Sequence, residues 1–203
     1  ADLTKYFGVT GSDDVHVILQ DEQMEEHAKM WDGVCYFDLA TVHKYFNDRF
    51  YEDKKEGLLL YALPDKIVRT EIGTDTLTKG DEAETRDYVI SRYEGDMLYI
   101  AADFVKEYAN FSYEPFTQPN HMQVYNQWNE RQLAVIAKDT QVRYQGVIKS
   151  DILTDVKKGD EVVVLEEMEK WSKVKTKDAF IGYVENKRLE GHRAQTPIPV
   201  TDY

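Results

Sequence analysis

LTDVKKGDEVVVLEEMEKWSKVKTKDAFIGYVENKRL, residues 153–189, decides the fold of the C-terminal part of this 203-residue chain. Lys158-Gly159-Asp160 reads as a turn leading into a strand over Glu161–Leu165. Glu166 to Lys170 reads as a charged hairpin tip. Trp171, Lys173 and Lys175 then alternate with Ser172, Val174 and Thr176, the two-residue period of a strand. Lys177-Asp178-Ala179 is a further turn, and Phe180–Val184 a last strand. Upstream, AVIAKDTQVRYQG (134–146) alternates and carries β-branched residues, so it also reads as strand. Five short strands with tight turns in fewer than 60 residues predict a small all-β barrel over 134–190.

Residues 1–133 read as a separate α+β domain with an internal repeat. Tyr36-Phe37-Asp38-Leu39-Ala40-Thr41-Val42-His43-Lys44-Tyr45 aligns with Tyr99-Ile100-Ala101-Ala102-Asp103-Phe104-Val105-Lys106-Glu107-Tyr108. Gly33 and Gly95 precede the two copies, and Tyr51-Glu52 and Tyr113-Glu114 follow them. Each copy predicts strand, short helix, strand, strand, with Leu39, Val42, Tyr45 and Phe46, or Ala102, Val105 and Tyr108, on one helix face. Val15–Leu19 reads as the first strand, and Ile67–Ile72 and Tyr88–Tyr93 as strands between the copies. Lys79 to Arg86 reads as a solvated loop, and the opening ADLTKYFG has no assignment. GHRAQTPIPVTDY (191–203) has two prolines and no periodicity, and reads as a linker or extended tail with more protein expected beyond it.

Charge supports a boundary near residue 133. Residues 1–133 hold 13 Lys and Arg against 26 Asp and Glu, whereas 134–190 hold 11 of each. The net charge of -13 therefore lies in the first two thirds, which argues against a nucleic-acid partner. No stretch approaches the roughly 18 apolar residues of a membrane span, so direct membrane insertion is not expected. Cys35 is the only cysteine, so no disulfide forms within the chain.

The C-terminal motifs resemble the bacterial SH3 family. They are Gln141-Val142-Arg143, Lys157-Lys158-Gly159-Asp160, Trp171-Ser172-Lys173-Val174 and Gly182-Tyr183-Val184, in the family's order. The chain departs from the family pattern at Gln141, where Asn is usual, and at Tyr144-Gln145-Gly146 in the first loop. The N-terminal motif Tyr36-Phe37-Asp38-Leu39, with Val42, Tyr45 and the echo at Tyr99, resembles the copper amine oxidase N-terminal-like domain, which carries no copper ligands. The two in this order resemble the front end of clostridial-type family 18 glycoside hydrolases. The catalytic Asp-x-x-Asp-x-Asp-x-Glu motif of that family does not occur in these 203 residues. The resemblance implies a non-catalytic accessory region on a bacterial cell surface or secreted protein. It would bind or be positioned on cell-wall polysaccharide or a peptidoglycan peptide, with a catalytic domain downstream.

For ligand contact the candidates are the aromatic Tyr144, Trp171 and Tyr183, whose faces suit sugar rings and peptide stems. Arg143 and Lys149 are the cations placed to meet a carboxylate. Trp171 and Tyr183 read equally as core side chains, and Tyr144 is the better candidate for exposure. The repeat-equivalent tyrosines of 1–133 read as packing residues, and Trp31 and Trp128 have no assignment. Two other readings stand beside this one: a purely structural or protein-interaction unit, and a hydrolase using Cys35 and His43. Against the latter, Cys35 sits mid-strand between Val34 and Tyr36, a core position with nothing to stabilise a thiolate. The carboxylates Glu166, Glu167 and Glu169 are expected to be exposed and of ordinary acidity. No catalytic residue, metal or cofactor is expected: His16, His27, His43, His121 and His192 show no metal-ligand spacing. His27, beside Glu25 and Glu26, reads as part of a solvated helix face.

Overall fold

The computed structural model describes residues 3–197. A short helix α1 (Leu3–Phe7) precedes β1 (Asp14–Leu19), β2 (Glu22–Trp31) and β3 (Val34–Asp38). Next come α2 (Leu39–Tyr45), β4 (Phe50–Asp53), β5 (Leu58–Ala62), β6 (Ile67–Glu71), β7 (Thr76–Lys79) and β8 (Glu82–Thr85). β9 (Ser91–Glu94), β10 (Met97–Ala101), α3 (Ala102–Lys106), β11 (Ser112–Phe116) and β12 (His121–Tyr125) follow. The last third holds β13 (Arg131–Ile136), β14 (Thr140–Arg143), β15 (Ile152–Val156), β16 (Glu161–Glu167), β17 (Trp171–Lys175), β18 (Ile181–Glu185) and β19 (Leu189–Gln195). The described residues are thus mostly β, with α-helices of only five to seven residues. The chain divides into two compact units, one of residues 11–15 and 25–112, the other of 3–10, 16–24 and 113–197.

In the first unit the strand order is β2-β3-β10-β9, antiparallel where registers are defined. Asp32 and Gly33 both take positive φ between the paired Trp31 and Val34, the two-residue turn that an Asp-Gly pair favours. The apolar side chains of α2 and α3 meet the sheet around Phe37, Val42, Ile100 and Phe104, all buried. Rings close this core: Phe46 lies 4.9 Å from Phe37 and 4.3 Å from Phe111. Tyr61 lies 4.8 Å from Phe50 and 4.4 Å from Tyr108. Trp31, which the sequence left unassigned, donates to Asp13 at 2.9 Å and packs on Tyr36 and Tyr99. β4 to β8 form a separate five-stranded antiparallel meander.

In the second unit β1 pairs in parallel with β12, His16 opposite His121, and β11 lies beyond β12. β13 to β19 form an antiparallel sheet in the order β15-β14-β18-β17-β16-β13-β19. Alternate residues of its strands, among them Val142, Val156, Val162, Val174 and Val184, build one buried core. A second cluster joins Phe7 and Ile18 to Leu153, Ala179, Phe180 and Ile181.

Several expectations need correction. The segment 134–146 is two strands broken at 137–139, and the C-terminal sheet has seven strands instead of five. It begins at Arg131 and includes β19, so residues 191–195 are strand where a linker was expected. β19 is an edge strand exposed along most of its length, so no apolar alternation marks it. Residues 198–203 of the expected tail lie outside the described residues. Residues 1–133 are not one body, because 3–10, 16–24 and 113–133 cluster with the C-terminal sheet. Lys79 to Arg86 contains a hairpin turning at Gly80 (φ 58°), whose charged strands mimic a loop. His27 lies on strand β2, not on a helix. The order strand, helix, strand, strand occurs at β3–α2–β4–β5 and at β10–α3–β11–β12. The partners differ, however: β4 and β5 open the meander, whereas β12 pairs with β1.

Candidate binding cleft

The strand period orients the outer face of β17 and β18. Ser172 and Val174 are fully buried, so Trp171 and Lys173 point away from the core. Gly182 and Val184 point inward, leaving Tyr183 on the same outer side, opposite Lys173 in register. Ser172 satisfies its buried hydroxyl by donating to Asn186 Oδ1 at 2.6 Å. Trp171 and Tyr183 are therefore half-buried cleft residues and not core.

The loop between β14 and β15 forms the next wall. A Cβ on Gly146 would lie 3.3 Å from Trp171 Cβ and Cγ and 3.6 Å from Tyr183 Cδ1, so the loop backbone rests on both rings. Tyr144 is 51% exposed at the start of this loop. Arg143 shapes the loop from beneath, donating to Ser150 O at 2.9 Å and to Gln141 Oε1 at 3.2 Å. Gln145 N adds a bond to Ser150 Oγ at 2.8 Å.

Helix α1 supplies a fourth ring. Tyr6 meets Tyr144 edge-on at 5.5 Å between centroids. Its hydroxyl donates to the Ile181 carbonyl and accepts from Gln23 Nε2 at 2.8 Å. Burial pushes the Tyr6 phenol up to about 12, so it stays a neutral donor at physiological pH. Together Tyr6, Tyr144, Trp171 and Tyr183 line a cleft of about 1090 Å³. Asp21, Glu22 and Gln23 wall one side, and Met168, Glu169, Lys170 and Lys173 line it as well.

The three predicted aromatic residues thus lie in one cleft. The two predicted cations do not line it: Arg143 is committed to the loop, and Lys149 is exposed elsewhere on that loop. The cations of the cleft are Lys170 and Lys173. Tyr6 and residues 21–23 were missed by sequence reasoning, and their only signal was the Tyr6-Phe7 aromatic pair in a segment with no assignment.

The other unit has a smaller cavity of about 360 Å³, where His27 Nδ1 lies 2.9 Å from Asp14 Oδ2 and Thr41 Oγ1 donates to Asp38 at 2.5 Å. Cys35 is buried, and its thiol is pushed up to about 11 by burial and the Asp103 charge. The His43 ring bonds Phe50 O at 2.7 Å. Among the described residues no group of three or more His, Cys, Asp or Glu is placed to hold a metal ion.

Residues 138–190 match the family model of the bacterial SH3 domain. No curated protein and no solved structure matches the chain. The matched segment contains Tyr144, Trp171 and Tyr183 and leaves Tyr6 and residues 21–23 outside it.

Proposed function

We propose that this chain is a non-catalytic accessory region of a bacterial cell-surface or secreted protein, and that the aromatic cleft holds cell-wall polymer. The observation that carries the reading is the convergence of Tyr6, Tyr144, Trp171 and Tyr183 on one open cleft of the SH3-containing unit. Aromatic faces stack on sugar rings and pack against peptide stems, while the neighbouring amide and charged groups orient the ligand. The cleft's open form suits a polymer chain passing through better than a small molecule enclosed on all sides. On this reading the segment that carries Tyr36-Phe37-Asp38-Leu39 and its echo at Tyr99 contributes a copper amine oxidase N-terminal-like part, and the attached enzyme is a family 18 glycoside hydrolase. An Asp-x-x-Asp-x-Asp-x-Glu motif in the gene past Tyr203 would support that attachment.

The test is co-sedimentation of the full chain with purified peptidoglycan sacculi, with chitin as the second polymer. Tyr144→Ala and Trp171→Ala should each lower the bound fraction while the circular dichroism spectrum stays that of the wild type. Failure of the wild type to sediment with either polymer would remove the binding function. A second reading, a protein-interaction unit, is favoured by the exposed Val147, Ile148 and Ile152 in and beside the first loop. It requires that Ile148→Asp abolish a stable complex with the attached domain while polymer binding is absent.

A further inference from the structure

Lys175 is the least expected side chain of the C-terminal unit. It falls on the same strand face as Trp171 and Lys173, yet it is only 3% exposed. A buried ammonium is costly unless every proton finds an acceptor. Here all three do: Nζ donates to Gln20 O, Asp21 Oδ1 and Tyr125 OH, each at 2.8 Å. The same ammonium lies 4.8 Å from the centre of the Tyr125 ring. A lysine so completely committed is either a packing device or a tether, and its partners distinguish the two. Two of the three acceptors belong to the turn between β1 and β2, which together with the first residues of β2 walls the aromatic cleft through Asp21, Glu22 and Gln23.

That turn is built to be held. Gln20 adopts a left-handed backbone (φ 54°), a conformation that persists where surrounding bonds determine it. Gln20 N donates to Val124 O at 2.8 Å, and its side-chain oxygen accepts from Asn126 N at 2.7 Å. These bonds fix Gln20, while Lys175 reaches one residue further to the Asp21 carboxylate. From there Gln23 completes a chain through the Tyr6 hydroxyl to the Ile181 carbonyl of β18. The wall is thus fastened to β17 by Lys175 and to β18 through Tyr6.

We infer that Lys175 is a positioning residue for the cleft, and that the cleft is a composite whose second wall, residues 21–23 with Tyr6, lies outside the bacterial SH3 match and sets its affinity. This rests on the reading of the cleft as the cell-wall site. An isolated SH3 sequence would carry only half of the site.

The experiment measures binding of the full chain to peptidoglycan sacculi together with amide hydrogen exchange. In Lys175→Met, which keeps the stem and removes the ammonium, exchange at residues 20–24 should rise while β16 and β18 stay protected. Affinity should fall about tenfold, the effect of having to order the wall's side chains on binding. Asp21→Ala should weaken binding similarly, and Asp21→Asn, which keeps the acceptor for Lys175, should restore most of it. Gln23→Ala, at an exposed position outside the buried core, should also weaken binding and release Tyr6. Wild-type binding with unchanged affinity in Asp21→Ala and Gln23→Ala would overturn the inference alone. Unaltered exchange at 20–24 in Lys175→Met would do the same. Absence of wild-type binding would overturn the cell-wall reading, and this inference with it.

Discussion

Gly182 is the position at which a single methyl group should be least tolerated. Its backbone needs no left-handed conformation; the constraint is space. An added Cβ would sit 2.6 Å from Arg143 O, 2.7 Å from Val142 Cγ1 and 2.8 Å from Leu153 Cδ1. Carbon atoms rest at roughly 3.5–4.0 Å, so each carbon contact is short by about 0.7 Å or more. The Val142 and Leu153 side chains are themselves buried and cannot swing away. The nearest obstacle is backbone, held where Arg143 pairs with Tyr183 across β14 and β18. β14 must therefore retreat from β18, adding a weakened ladder bond of about 1 kcal/mol to an overpacking cost of about 1–3 kcal/mol. Gly182→Ala should thus cost about 3 kcal/mol. Gly159→Ala is the control: it has φ 94° and nothing within 4 Å of the added carbon, so its cost is backbone strain alone, about 1–2 kcal/mol. Urea unfolding in a Trp31→Phe, Trp128→Phe background makes Trp171 the only tryptophan reporter. The midpoint should fall with an unchanged slope for both variants, further for Gly182→Ala. A cost at Gly182 of about 1 kcal/mol or less, or one no larger than at Gly159, would refute the steric argument.

Other consequences follow from particular side chains. Phe7 is buried and stacked 4.4 Å from the His121 ring, so Phe7→Ala should cost about 3–5 kcal/mol in the same urea experiment and lower sacculus binding by releasing Tyr6. The Cys35 thiol, held up near 11 and buried, should resist a thiol reagent at pH 8 in native protein and react at once in urea. Asp13 is held below its ordinary range by the Trp31 indole, and Glu26 by the Tyr45 hydroxyl. Carboxyls lowered on folding contribute stability above their unfolded values and lose it as the pH falls through the folded ones. The melting temperature should therefore drop as the pH falls from 5 towards 2, and less steeply in Trp31→Phe, which removes the donor to Asp13.

The C-terminal strands were legible where burial is local and periodic. Val184 announces its strand because it alternates with the outward Tyr183 and Glu185, and Val174 because it follows the outward Lys173. The facing of Trp171 was not legible, and one residue explains why. Ser172 reads as outward by its chemistry, which leaves the tryptophan free to be core. Its hydroxyl is instead satisfied by Asn186, fourteen residues on, and that bond turns Trp171 to the cleft. The same holds for Lys175, whose burial depends on acceptors more than 150 residues away for two of its three bonds. Tyr6 is bonded to Ile181 across 175 residues, and no local pattern marks it. The two walls of the cleft therefore differ in how they are encoded. The SH3 wall lies in motifs that survive as a contiguous segment and can be recognised as such. The other wall exists only through non-local polar bonds, each useless without its partner. A domain graft that moves residues 138–190 alone would carry every recognisable motif and still lose Tyr6, Gln23 and the acceptors of Lys175. It would also leave that lysine buried with no acceptors, or expose it, so the graft should lose ligand affinity and stability together.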